Sequence, residues 1–123
     1  MAIKKIGLSC IAVSDIKKAV EFYSNVLGLK ITTGNSQYGW YEFAAENGET
    51  LLGVGQEEKE SQYVPGSNAI VSFVVDNLEE TKNKLREKGV KFLTDTMEVP
   101  NEVKLVLFED LDRNKFYLVE KLK

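Results

Sequence analysis

The stretch VSDIKKAVEFYSNVLGLK, residues 13–30, decides the fold. It opens as the end of a strand and passes into a helix entry. Ser14 or Asp15 there offers a side-chain oxygen to the first free amides. Ile16, Ala19, Val20, Tyr23, Val26 and Leu27 recur at helical spacing, while Lys17, Lys18, Glu21 and Asn25 take the wet side. Gly28 is placed to stop the helix in a left-handed conformation before a new strand begins. Upstream, residues 3–13 (IKKIGLSCIAV) end in an apolar run expected to be a strand buried on both faces or nearly so. Downstream, LKITTG, YGWYEFAA and ETLLGVG read as three short strands. GNSQ and ENGE punctuate them, the latter with the Asn-Gly pair favoured in tight hairpins.

The second half repeats this order. NAIVSFVV is a strand by its β-branched content and alternation. Asp76 or Asn77 caps a helix with Leu78, Thr81 and Leu85 inward and Glu79, Glu80, Asn83, Arg86 and Glu87 outward. Gly89 stops it, and VKFL, VKLVLFED and KFYLVEKL follow as strands. Each half therefore reads β-α-β-β-β, with VSDIKKA answering VDNLEET and LGLKI answering KGVKF. Residues 56–67 (QEEKESQYVPGS) are polar, contain Pro65-Gly66 and read as the linker between module 1–55 and module 68–123 of a single domain. One helix on four strands covers only one sheet face, so a module needs a partner for the other. The expected fold class is α+β, two tandem βαβββ modules forming a curved mixed sheet around a concave cleft. Small ligands favour such clefts.

Bulk properties exclude several functions. The chain of 123 residues is 43% hydrophobic and 28% charged, ordinary for one globular domain. No segment approaches a membrane span, and MAIKKIGLSCIAV is too short and its continuation too polar for a signal peptide. The net charge of -3 and the lack of a basic-aromatic stripe give no reason to expect nucleic acid. The single cysteine, Cys10, rules out an intrachain disulfide and favours a reducing cytoplasm. There is no histidine, which removes His-based triads, general bases and metal ligands together.

Val13, Asp15, Ala19, Phe22, Tyr23, Leu27, Gly28 and Leu29 form the pattern V-x-D, A-x-x-F-Y and L-G-L. This pattern resembles the vicinal oxygen chelate superfamily, which includes glyoxalase I, extradiol dioxygenases, fosfomycin-modifying enzymes and bleomycin-resistance proteins. FEDLDRNKFYLVE resembles the closing F-x-D-P-D-G-N signature of that family, with Leu111 and Arg113 in place of its Pro and Gly. The resemblance covers essentially the whole chain. It implies metal-ligand positions in the metalloenzyme members, and here these fall on Leu8, Ile70, Tyr117 and the strand around Leu51 to Gly53. None carries a ligand side chain, so neither a metal nor another cofactor is expected. No catalytic residue is assigned.

Period-two alternation sorts the remaining candidates. Leu8, Cys10 and Ala12 should face the cleft, joined by Ile70, Ser72 and Val74 from the second module. Lys115, Tyr117 and Val119 share that side of the last strand, and Tyr38, Trp40 and Glu42 form one parity set. Trp40 suits a stacking wall for a flat or cationic ligand, or else core packing or a dimer contact. Glu42 could anchor a cationic group or simply face solvent, and Tyr117 could offer a phenol or fill vacated volume. Cys10, with no base to activate it, is expected to be a small buried hydrophobe. Tyr63 and Pro65 belong to the linker, which could lie near the cleft mouth. These features point to a metal-free binding protein for a small organic ligand, cytoplasmic by its cysteine usage and homodimeric as the resemblance to bleomycin-resistance proteins implies. The competing reading is a glyoxalase-like lyase or isomerase with a non-standard site.

Overall fold

The computed structural model describes residues 4, 6–48, 50–59 and 64–122; Tyr63 and positions 60–62 of the expected linker lie outside them. The chain divides into two compact units, Met1–Asn68 and Ala69–Lys123.

The first unit runs β1 (Leu8–Val13), α1 (Ile16–Glu21), a π-helical turn (Phe22–Val26), β2 (Lys30–Asn35), β3 (Trp40–Ala44) and β4 (Leu51–Gln56). The strand expected in the apolar run that ends residues 3–13 is Leu8–Val13, and Ile6 before it is 80% exposed. Of the two candidate caps it is Asp15 that acts, accepting from the Lys17 and Lys18 amides at 3.0 and 3.2 Å. Gly28 ends the segment at φ 76°. The helix is not α throughout, as its periodicity suggested. The Leu27 amide reaches back five residues to the Phe22 carbonyl at 3.0 Å. This wider turn accompanies the burial of two consecutive rings, Phe22 and Tyr23, edge to face at 5.1 Å.

The sheet order is β1-β4-β3-β2, with β1 parallel to β4 and the other pairs antiparallel. Ile11, Val13, Phe43, Leu52 and Val54 lie buried on one parity, and Ile16, Ala19, Phe22 and Tyr23 of the helical segment are buried with them. Gln56, expected to open the linker, is instead the last residue of β4. Its Oε1 accepts the Ile16 amide at 2.9 Å, and its Nε2 donates to the Ser14 carbonyl at 2.6 Å.

The second unit runs β5 (Val71–Val74), α2 (Leu78–Glu87), β6 (Lys91–Phe92), β7 (Met97–Val99), β8 (Val103–Glu109) and β9 (Lys115–Lys121). Its order is β5-β9-β8-β6, with β5 parallel to β9 and β7 also paired to β8. The short β7 was not expected; its three residues carry little pattern of their own and take their form from β8. Asn77 caps α2 by accepting the Glu80 amide at 3.0 Å. Phe73, Phe108 and Phe116 stack on the helix side, with the Phe73 and Phe116 centroids 5.0 Å apart. Lys82 is buried on α2, where its Nζ donates to Thr96 Oγ1 at 3.2 Å and lies 5.9 Å from the Phe92 ring centre. Glu120 repeats the task of Gln56, its Oε1 accepting the Leu78 amide at 2.7 Å.

The turn from β8 to β9 is locked by Asp110 and Asn114, both buried. Asp110 Oδ1 accepts the Asp112 and Asn114 amides at 2.8 and 2.9 Å, and Asn114 Nδ2 donates to Oδ2 at 2.9 Å. Arg113 inside this turn holds φ 67°, a left-handed conformation that suits glycine. No helix among the described residues is long and apolar enough to cross a membrane.

Candidate functional site

In the first unit, the face opposite the helix is defined by register. Leu8, Cys10 and Ala12 of β1 pair with Leu51, Gly53 and Gly55 of β4. Trp40 and Glu42 of β3 stand opposite Gly55 and Gly53. The middle strand therefore offers two glycines where its neighbours carry side chains. Trp40 uses this gap. A Cβ on Gly53 would come 2.5 Å from Trp40 Cη2 and 2.7 Å from Cζ2, so the indole lies against bare backbone. The same Cβ would be 3.4 Å from Leu8 Cδ1, so Leu8 borders this notch as well.

The indole is also tethered. Trp40 Nε1 donates to Glu42 Oε2 at 2.9 Å. Trp40 and Glu42 are both half-buried. Cys10 is exposed, contrary to the expectation that it would be a small buried hydrophobe. Alternation fixed its side of the strand, but that side is lined by glycine at Gly53, which gives Cys10 little cover. Desolvation by its neighbours pushes the Cys10 thiol up, and the nearby Glu42 carboxylate pushes it further in the same direction. A thiol so placed stays protonated and is a poor nucleophile. Tyr38 does not join the set: it sits in the turn before β3 and is 79% exposed.

In the second unit, Ser72 pairs with Tyr117, which in turn stands opposite Leu107. Lys115 stands two residues from Tyr117 on the same parity, opposite Glu109. Its Nζ lies 3.3 Å from Glu109 Oε2, while Lys91 Nζ lies 3.6 Å from Oε1. Val74 on this face is 61% exposed. Ile70 precedes β5, is 49% exposed and takes no part in the ladder.

Sequence reasoning missed Gly53 and the Lys91–Glu109–Lys115 cluster. The first had a signal: glycines two apart in LLGVG must fall on one face of a strand. In the second, Lys115 was a candidate, but Lys91 reaches Glu109 only through the pairing of β6 with β8, which has no local signal.

A divalent metal needs several N, O or S donors within about 2.0–2.3 Å. Among the described residues of the first unit's face, the thiol and carboxylate donors are Cys10, held protonated, and Glu42, tied to Trp40. The second unit's face presents Glu109 between two lysines. Among the described residues no three His, Cys, Asp or Glu side chains gather to hold a metal ion. The residues present do not fit a metal centre of the glyoxalase kind.

Two units, one βαβββ and one with the short β7 added to that order, each with one helix across a mixed sheet, define a glyoxalase-type scaffold. The chain belongs to the Glyoxalase/Bleomycin resistance protein/Dioxygenase superfamily, whose family model matches residues 5–118. It is 35% identical over 89 residues to Bacillus subtilis (strain 168) uncharacterized protein YraH, covering 64% of this chain and 68% of that one. A superfamily member from Sphaerobacter thermophilus DSM 20745 superposes with a TM-score of 0.82 at 27% identity, over 97% of this chain and 98% of that one. TnmS3, an antibiotic binding protein from Streptomyces sp. CB03234, superposes with a TM-score of 0.83 at 25% identity, over 98% of both chains.

Proposed function

We propose that this protein is a metal-free small-molecule-binding member of the superfamily that sequesters a drug or metabolite, working as a homodimer in the cytoplasm. The observation that supports this most is the Trp40 indole, laid on the Gly53 backbone and fixed by Glu42. A large aromatic surface on a strand, held in one orientation, provides contact area at low entropic cost to a ligand that stacks on it. The likeness to an antibiotic binding protein supports the same mode. A glyoxalase-type proton abstraction needs a base beside an oxyanion held by a Lewis acid. The donor chemistry of the two sheet faces favours binding over that reaction.

Two measurements test the proposal. A thermal-shift screen of small organic molecules should give stabilising hits that shrink or vanish in Trp40→Ala, and hits undiminished in that variant would remove Trp40 from the site. Elemental analysis of protein purified without chelator should find no stoichiometric metal. A bound metal, or stabilisation by several degrees on adding Mn²⁺, Ni²⁺ or Zn²⁺, would overturn the metal-free reading.

A further inference from the structure

We infer that the Trp40–Glu42 pair selects a planar organic cation. The inference rests on the binding proposal and narrows its ligand class. Glu42 is the one acidic residue among the positions that the four strands place on this face: Leu8, Cys10, Ala12, Leu51, Gly53, Gly55, Trp40, Glu42 and Ala44, with Lys30, Thr33 and Asn35 of β2. Its Oε2 is occupied by the indole N–H, which fixes the direction of the carboxylate. Its Oε1 accepts no hydrogen bond among the described residues. A ring stacked on Trp40 and bearing an N–H⁺ at its edge would meet both features at once. The indole face attracts cations through its quadrupole. The oriented carboxylate supplies a charge-assisted acceptor that needs no reorganisation. Cys10 feels the same negative field, which raises its thiol in concert with desolvation. The one cationic side chain at these positions, Lys30 opposite Ala44, makes no ion pair with Glu42 among the described residues, whereas Glu109 in the second unit is already held by Lys91 and Lys115.

The test uses two flat tricyclic probes, cationic proflavine and neutral acridone, titrated calorimetrically into the full chain. Proflavine should bind more tightly than acridone. Glu42→Gln keeps an amide oxygen for the indole N–H but removes the charge. It should weaken proflavine about ten-fold, the loss of one charge-assisted hydrogen bond, and leave acridone unchanged. Glu87→Gln, on the exposed side of α2, removes the same net charge elsewhere and should alter neither. An unshifted Trp40 emission in Glu42→Gln verifies that the indole has not moved. Equal affinity for the two probes, or equal weakening of proflavine by Glu42→Gln and Glu87→Gln, overturns the cation inference and leaves the binding proposal standing. Failure of both probes to bind the wild type overturns the inference too, and the organic-molecule screen then judges the binding proposal separately.

Discussion

Replacing Gly53 with alanine tests the floor of the site directly. In an ordinary strand this change is favourable, since alanine restricts the unfolded chain, a gain of about 0.4–1 kcal/mol. Here the new methyl group would lie 2.5 Å from Trp40 Cη2 and 2.7 Å from Cζ2, well inside contact distance. The clashing atoms belong to the far edge of the ring, so the indole can swing away rather than force the backbone apart. Swinging breaks the Nε1–Glu42 bond and lifts the ring from the strand. Overpacking of this kind costs about 1–3 kcal/mol, and a hydrogen bond to a charged group about 1.5–3 kcal/mol before water replaces it. A net loss of about 1–2 kcal/mol is expected, which for a chain of this size lowers Tm by roughly 3–10 °C. Trp40 is the only tryptophan, so its emission reports the displacement without interference. Gly7→Ala serves as the control, because a Cβ there meets nothing within 4 Å. An unaltered emission spectrum and a raised Tm in Gly53→Ala would show that the indole does not rest on Gly53, and the stacking argument would fall with it.

Two further outcomes can be measured on the same material. Arg113→Gly should stabilise the protein by about 0.5–1 kcal/mol in chemical denaturation, because glycine takes φ 67° without the steric cost an arginine bears; a destabilised variant would refute this. Alkylation of Cys10 by iodoacetamide should lag behind a free cysteine at mildly alkaline pH, and Glu42→Gln should speed it by removing the charge that helps raise the thiol. The sign for stability follows: the unfolded thiol ionises first, so stability falls as pH rises through the ordinary thiol range, and Glu42→Gln reduces that fall.

Much of this architecture is written locally in the chain. Asp15, Asn77, Gly28 and Gly89 mark both helices within a few residues of sequence, so the two βαβββ repeats were legible. Alternation grouped Leu8 with Cys10, Trp40 with Glu42, and Ser72 with Tyr117, and the register then set Cys10 and Trp40 on one side of the first sheet. Depth was not legible in the same way. Whether Cys10 is covered depends on what stands opposite it, and the residue opposite is Gly53, distant in sequence. The π-helical turn escaped because a five-residue hydrogen bond leaves the apolar spacing of an α-helix nearly intact. Nothing in the spacing of α2 marks Lys82 for burial, and the position of Thr96 and Phe92 explains it. Tyr38 followed the parity of Trp40 but fell in the turn, since the strand starts two residues later.

Gln56 and Glu120 also bear on how each unit assembles. The first amide of each helix waits for a side chain that arrives on the closing strand, 40 residues later in the first unit and 42 in the second. Neither helix can complete its start until the last strand of its own repeat has docked. Such distant closures slow folding relative to a helical bundle of equal length, because loop entropy is lost before the contacts are gained. During synthesis, a repeat cut short before its final strand would keep its local cap, Asp15 or Asn77, but leave the first amide of its helix unpaired and its sheet unclosed.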